Sequence, residues 1–381
     1  MAERRSRWAH REVSPLELFF DLVFVLAVSQ LTHHLIEHLT WHGAAETLLL
    51  LVAVCGVWAF TSFEVTMLDV ERRATRAVTA GVMGCGLFMN AGIAHAFADG
   101  PWLFVIPMLA ALAGAAGFAA LRAPSPELRE HFRRVLVWIA ASMPFWLVGA
   151  GLDAEWRMRL WGVAALIDLV GTWTAHPVPR RALRSTSVPF DASHMLERMR
   201  LFLIILLGET VLTIGRVMSE EHPDVRTLLS SLGVFVALVC LWLTYFGRGE
   251  QQVADHIAAT DDPIRSVHLG INAVYGVMAG LVVLAAGSEL VIAHAEDAHA
   301  GIGGVLLLGG PTLYLLAQMF YFRATTGIVW IPRGLGAIAL TTGAVAAYWL
   351  PPLVAVLVLV LVLLVLVSHI ARERGAAAEA A

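Results

Sequence analysis

Two carboxylates lie inside an apolar segment close to the start of the chain. Glu17 and Asp21 are four residues apart within residues 14–31, so on a helix they share one face and lie about 6 Å from each other. An acid in a segment long enough to cross a bilayer is costly, and it is normally retained where it faces a protein interior or an aqueous path. The spacing therefore predicts a site for a proton or a cation.

A second segment has the same design. Residues 197–212 begin with charged side chains, continue as an apolar helix and contain one carboxylate, Glu209. When Asp21 is aligned with Glu209, the offset is close to half of the chain, which indicates an old duplication. We expect the two acids to lie near the pseudo-twofold axis between the halves. There, burial would raise a carboxylate pKa toward physiological pH and allow exchange of a proton for an ion.

Other residues could contribute to that site. Asp168 lies near the middle of an apolar segment, and His268 is a polar group inside another. The predicted substrate or ion site therefore consists of Glu17, Asp21, Asp168, Arg198, Glu209 and His268. The alternative for the acids is pairing with Arg198, Arg200 or Arg72, which would only hold helices in register. For Asp168 the alternative is a hydrogen bond between helices, and for His268 and Asn90 such a hydrogen bond is the favoured role.

A histidine motif follows the first acidic pair. His34, Glu37 and His38 match the His-x-x-Glu-His pattern of metal sites, in which two histidines lie one helical turn apart. A zinc hydrolase would also need a further ligand, a water-filled pocket and a general base. Because the motif falls at the outer end of the first apolar helix, we predict no catalytic metal and keep these residues as weak candidates for metal binding.

The same two acidic segments resemble a known family. The run Glu-Leu-Phe-Phe-Asp-Leu-Val-Phe-Val at residues 17–25 is similar to a signature of the bacterial low temperature requirement protein A family. The run from His194 through Glu197 and Arg198 to Glu209 resembles that family's second signature. Weaker similarity extends over nearly the whole chain. The resemblance implies a polytopic membrane protein and indicates no particular chemistry.

Composition independently predicts a membrane protein. Of the 381 residues, 58% are hydrophobic and only 15% are charged. Hydropathy predicts an all-α polytopic protein with about twelve transmembrane helices. Their approximate ranges are 15–37, 44–68, 74–98, 101–121, 130–151, 156–176, 195–217, 226–247, 265–294, 302–323, 333–350 and 351–371.

The arginines support this topology. All 26 basic residues are arginine, and 22 of them fall on one side of the membrane when both termini are cytoplasmic. Twelve crossings give two parallel six-helix repeats, residues 1–176 and 194–371, joined by a cytoplasmic linker at 177–193 and followed by a disordered tail at 372–381. Pro107 and Pro311 are predicted to break the fourth helix of each repeat, and the alternative is that a membrane helix tolerates an internal proline. The expected location is the bacterial cytoplasmic membrane.

The sequence favours transport over catalysis. It contains no nucleophile elbow, phosphate-binding loop or dinucleotide motif, and its three cysteines show no ligand-like spacing. We therefore expect no enzyme activity, no cofactor and no nucleic-acid partner; the expected partners are the lipid bilayer and an unidentified small solute or ion. The leading hypothesis is a secondary transporter, and a proton or another cation is the coupling ion considered. The alternatives are a cation channel and a non-transporting membrane protein that supports growth at low temperature.

Overall fold

A computed structural model describes residues 13–68, 72–174, 176–177, 191–220, 224–246, 248–260, 263–327 and 330–379. These residues form helices, with no strand among them. Most of the predicted linker, residues 177–193, lies outside the described ranges. The helices are α1 (Pro15–Val23), α2 (Val25–Glu37), α3 (Trp41–Met67), α4 (Arg73–Ala91), α5 (Pro101–Arg122), α6 (Pro126–Ala150), α7 (Ala154–Trp173), α8 (Ala192–Glu220), α9 (Val225–Tyr245), α10 (Arg248–Ala259), α11 (Pro263–Ala293), α12 (Gly301–Thr325), α13 (Trp330–Ala347) and α14 (Pro352–Glu379).

The prediction of an all-α membrane protein is confirmed. Each of the twelve predicted spans overlaps one long helix, or α1 and α2 together. In the described part of the chain, nine helical segments are long and apolar enough to cross a membrane: Pro15–Glu37, Trp41–Phe63, Pro101–Arg122, Pro126–Ala150, Ala192–Ser219, Val225–Tyr245, Ile264–Ala293, Gly301–Thr325 and Pro352–Arg372. Helices α4, α7 and α13 fall outside this set, so twelve crossings stay a prediction. The last helix, α14, continues to Glu379, into the predicted tail.

The chain forms two compact units. The first contains the described residues up to Phe202 together with Ile257–Asn272, and the second contains Leu203–His256 and Ala273–Ala381. The first therefore includes α1 to α7 and the start of α8. In it, α5 packs against α4 and α6, α6 packs against α7, and α3 contacts α5 and α7. The aromatic rings of Trp58, Trp146 and Trp161 are almost wholly buried in this unit.

In the second unit, α13 packs against α12 and α14, and α9 packs against α14. Small residues allow α11 and α12 to approach closely, because a Cβ built on Gly280 would lie 2.7 Å from the carbonyl oxygen of Gly310. The hydroxyl of Tyr314 donates a hydrogen bond of 3.2 Å to the carbonyl of Leu241, which joins α12 to α9.

The predicted breaks at proline are wrong. Pro107 lies inside the continuous helix α5, and Pro311 lies inside the continuous helix α12. Membrane helices tolerate an internal proline when neighbouring groups satisfy the freed backbone atoms. The helix that is interrupted is the first one, where Phe24 separates α1 from α2 and its amide donates to the carbonyl of Asp21.

Candidate functional site

Two helices that begin in the same register carry the candidate site. Ser14 caps α1, since its hydroxyl accepts a hydrogen bond from the amide of Glu17. Asp191 precedes α8, and its carboxylate accepts one from the amide of His194 at 2.9 Å. Ser, Asp and similar side chains are favoured at this position because they satisfy amides that the helix leaves unpaired. Each helix therefore presents its third residue, Glu17 or His194, in its first turn.

Glu17 of α1 contacts His194 of α8. Its Oε1 lies 2.9 Å from the imidazole Nε2, and the two side chains are 1% and 2% exposed. Its other oxygen, Oε2, accepts hydrogen bonds of 2.8 Å from both the amide and the hydroxyl of Ser14. Both carboxylate oxygens of Glu17 are thus occupied, one by the helix cap and one by the neighbouring helix.

One helical turn further along, Asp21 contacts Arg198. Asp21 Oδ1 accepts a hydrogen bond of 2.8 Å from Arg198 Nη2 and another of 2.8 Å from Trp58 Nε1 of α3. Asp21 is wholly buried and Arg198 is 1% exposed. The second carboxylate oxygen, Oδ2, is buried with no hydrogen-bond partner among the described residues. Asp21 therefore keeps one buried acceptor atom without a described partner, whereas Glu17 does not.

The two contacts fix the direction of the helices. Glu17 and His194 are 177 residues apart, and so are Asp21 and Arg198. Equal separations mean that α1 and the start of α8 run in the same direction, with matching turns side by side. A row of acids spaced by four residues on one helix faces a row of bases with the same spacing on the other.

Aromatic side chains enclose the Asp21 contact. Trp58 stacks on Phe202 with the ring centres 4.2 Å apart. The Arg198 guanidinium lies over the ring of Phe20, 5.5 Å from its centre, and donates a long hydrogen bond of 3.5 Å to the carbonyl of Ser62. These buried rings shield the contact from solvent, so Arg198 and the indole balance the charge on Asp21.

The interruption at Phe24 follows Asp21 directly. Asn90 of α4 donates a hydrogen bond of 2.8 Å to the carbonyl of Val23, the last residue of α1. The last carbonyls of a helix have no partner within that helix, and Asn90 supplies a donor to this part-buried one. The role that the sequence favours for Asn90, a hydrogen bond between helices, is therefore confirmed.

Comparison with known proteins places this site in a family context. The family description "Bacterial low temperature requirement A protein (LtrA)" matches residues 12–368. The chain belongs to the bacterial low temperature requirement A protein family. It is also similar to Uncharacterized protein RA0937 of Rhizobium meliloti (strain 1021), with 30% identity over 367 residues that cover 93% of this chain and 88% of that relative. Both acid–base contacts lie within the matched residues, and the family resemblance seen in the sequence is confirmed.

In this LtrA family member, the remaining predicted residues lie in other environments. Asp168 is half-buried on α7 and its Oδ2 accepts a hydrogen bond of 2.9 Å from Trp146 Nε1 on α6, which fits the interhelical alternative. His268 is half-buried on α11, with its ring 5.3 Å from that of Phe63. Glu209 is 4% exposed on α8 and belongs to the second unit.

The metal motif is rearranged. Glu37 and His38 are exposed, whereas His34 is buried and faces Glu46 of α3, a residue outside the motif. Nowhere in the described ranges are three His, Cys, Asp or Glu side chains placed to hold a metal ion.

Two members of the acidic site were also missed, namely His194 and Trp58. A signal for His194 was available, because it precedes Arg198 by the same four residues that separate Glu17 from Asp21. A row of bases that matches a row of acids in spacing indicates two facing helices. No comparable signal distinguishes Trp58 from the other eleven tryptophans, because its contact with Asp21 depends on how α3 packs.

Proposed function

We propose that this LtrA family protein is a proton-coupled secondary transporter of the bacterial cytoplasmic membrane, with Asp21 as the protonated residue. The proposal includes twelve crossings with both termini in the cytoplasm, arranged as two six-helix repeats. Glu209 takes the ionisable role in the second half, and Asp168 and His268 assist. The expectation that the chain is not an enzyme forms part of the same proposal.

The free oxygen of Asp21 is the observation that carries the proposal. A carboxylate kept only as half of a structural ion pair would be expected to have both oxygens satisfied, as Glu17 has. Asp21 instead accepts two hydrogen bonds at Oδ1, while its Oδ2 is buried without a partner among the described residues. A proton is the ligand that requires the least space at such an atom.

The contact with Arg198 provides the coupling. A proton on Asp21 Oδ2 removes the negative charge that balances the guanidinium, and a buried unpaired cation is strongly unfavourable. Arg198 must then find an anion or water, which favours a rearranged state of α1 against α8. The adjacent Glu17–His194 contact has the same register. Histidine is the one side-chain type in these two contacts whose ordinary pKa is near neutrality.

Uptake measurements test this proposal. Purified protein in proteoliposomes that contain a pH-sensitive dye is given an inward proton gradient and a panel of candidate solutes. We expect solute-dependent acidification of the lumen for the wild type and its loss in Asp21→Asn. Glu155→Gln, which neutralises an exposed acid 74% accessible to solvent, is the control and should behave as the wild type.

Two results would remove the proposal. One is wild-type coupled uptake in the double variant Asp21→Asn plus Glu209→Gln. The other is single-channel current in planar bilayers, because a current of millions of ions per second exceeds an alternating-access cycle and would assign the protein to channels.

A second candidate function is also supported by an observation. Both acids of α1 are matched with bases in a dry interior, which is the arrangement of a clamp that holds helices in register. A non-transporting membrane protein would need nothing more. In that case Asp21→Asn would lower stability, and the wild type would move no solute of the panel and no protons.

A further inference from the structure

A second cluster of titratable side chains lies at the other end of the first span. Glu46, near the start of α3, lies between two histidines: its Oε1 is 3.2 Å from His42 Nε2, and its Oε2 is 3.3 Å from His34 Nε2. The span from Glu17 to His34 covers seventeen residues, a helical rise of about 25 Å. This cluster is therefore separate from the site around Asp21.

The three side chains form a path from solvent to the interior. The side chain of His42 is 62% exposed, that of Glu46 is 7% exposed and that of His34 is 2% exposed. Because His42 and Glu46 are one turn apart on α3 and His34 comes from α2, the path also crosses from one helix of the hairpin to the other. Only its outermost member is in good contact with water.

The inner histidine is not satisfied by its present contacts. Neither ring nitrogen of His34 has a hydrogen bond with adequate geometry, although Nε2 lies within ion-pair distance of Glu46. A buried imidazole with two unmatched nitrogens lacks the hydrogen bonds that buried polar groups normally make. Adding a proton would give it a charge that the nearby carboxylate can balance.

The surrounding groups limit how many protons the cluster can hold. His38 stacks on His34 with ring centres 4.6 Å apart, and the ring of Phe97 lies 6.4 Å away. Electrostatic interactions also link His34 to Glu37 of its own helix and Glu46 to Arg157 of α7, which itself interacts with Asp153. A second proton would face Arg157 and His38 with a single buried carboxylate to balance it.

We infer that His42, Glu46 and His34 form a proton-binding site that takes one proton from solvent through His42 and shares it with the buried His34. The proton passes between the imidazole Nε2 atoms and the Glu46 carboxylate oxygens, which lie within 3.3 Å of each other. No covalent bond other than those to the proton is made or broken. The site does not depend on the transport proposal, because it binds a proton whether or not the protein moves a solute.

Histidine titration by NMR tests this inference without a transport assay. The full-length protein is prepared in nanodiscs with ¹⁵N-labelled histidine, and ring signals are recorded between about pH 5 and 8, where imidazoles exchange protons. We expect His34 and His42 to respond over one common interval in the wild type. In Glu46→Gln the two responses should separate by about one pH unit or more, the scale that defines coupled groups.

Two further variants keep the test decisive. Glu155→Gln removes an exposed acid whose partner is Arg159, and it should leave both histidine responses unchanged. If Glu46→Gln does not fold, His42→Gln alters a mostly exposed side chain and should change the response of His34. The inference is overturned if His34 does not respond to pH in the wild type, or if its response is unaffected by both Glu46→Gln and His42→Gln.

Discussion

Asp21 and Arg198 are joined by a hydrogen bond of 2.8 Å between two helices that start in the same register and run in the same direction. Four residues earlier on both helices, Glu17 and His194 form the corresponding contact at 2.9 Å. The acid of each contact comes from α1 and the base from α8. Any change of register between these helices would break both contacts at once.

We expect the Asp21–Arg198 pair to show strong coupling in stability. Arg198→Gln leaves Asp21 as a buried anion whose remaining donor among the described residues is the Trp58 indole, and removal of one partner of a buried pair typically costs about 3–5 kcal/mol. The double variant Asp21→Asn plus Arg198→Gln should be more stable than Arg198→Gln alone. Unfolding in detergent gives the free energies for a double-mutant cycle, and additive effects would contradict this prediction.

Trp58→Phe should weaken the site without opening a large cavity. The phenyl ring can keep its contact with Phe202, but the hydrogen bond from Nε1 to Asp21 is lost. Hydrogen bonds to charged groups contribute about 1.5–3 kcal/mol, so a decrease of that size in the free energy of unfolding is expected. Trp173→Phe is the matched control, since Trp173 is 56% exposed. Equal effects of the two substitutions would argue against a role for the indole N–H.

Asn90→Leu should destabilise the interrupted first span. The variant keeps a side chain of similar size but leaves the carbonyl of Val23 without the 2.8 Å hydrogen bond from Nδ2. An unsatisfied buried carbonyl costs about 1–3 kcal/mol. Ser219→Ala, which removes an exposed hydroxyl bonded within its own helix, is the control. Thermal unfolding that is unchanged in Asn90→Leu would show that the carbonyl finds another donor.

The N-terminus of α9 should be sensitive to acid. The Thr227 side chain, and then its amide at 2.7 Å, hold the pKa of Asp224 below its ordinary value of 3.8. Since the unfolded chain binds the proton at a higher pH, the cap contributes stability above pH 3.8 and loses it as the pH falls through the lower, folded pKa.

Hydrogen exchange at the Thr227 amide measures this effect. Protection relative to the unfolded chain should decrease as the pH falls below 3.8 in the wild type. Asp224→Asn keeps an acceptor for the amide but has no proton to bind there, so its protection should stay level over the same range. Parallel loss of protection in both proteins would assign the acid sensitivity to another group.

The sequence determined most of the local structure. Apolar runs of span length gave the approximate positions of the long helices. The spacing of Glu17 and Asp21 gave their common face. The same rule for Arg198 and His194 would have given the facing row of bases. These features depend on residues a few positions apart, which is the range over which helix geometry is fixed.

The tertiary structure decided which faces meet. It placed Arg198 opposite Asp21, brought Trp58 to the same oxygen, and set Glu46 beside the buried His34 while Glu37 and His38 stayed exposed. It also kept the helices continuous at Pro107 and Pro311 and interrupted the first span at Phe24, where Asn90 satisfies the freed carbonyl. Each of these outcomes depends on a partner from another helix. The spacing within one helix determines which residues share a face, but packing between helices determines what that face contacts.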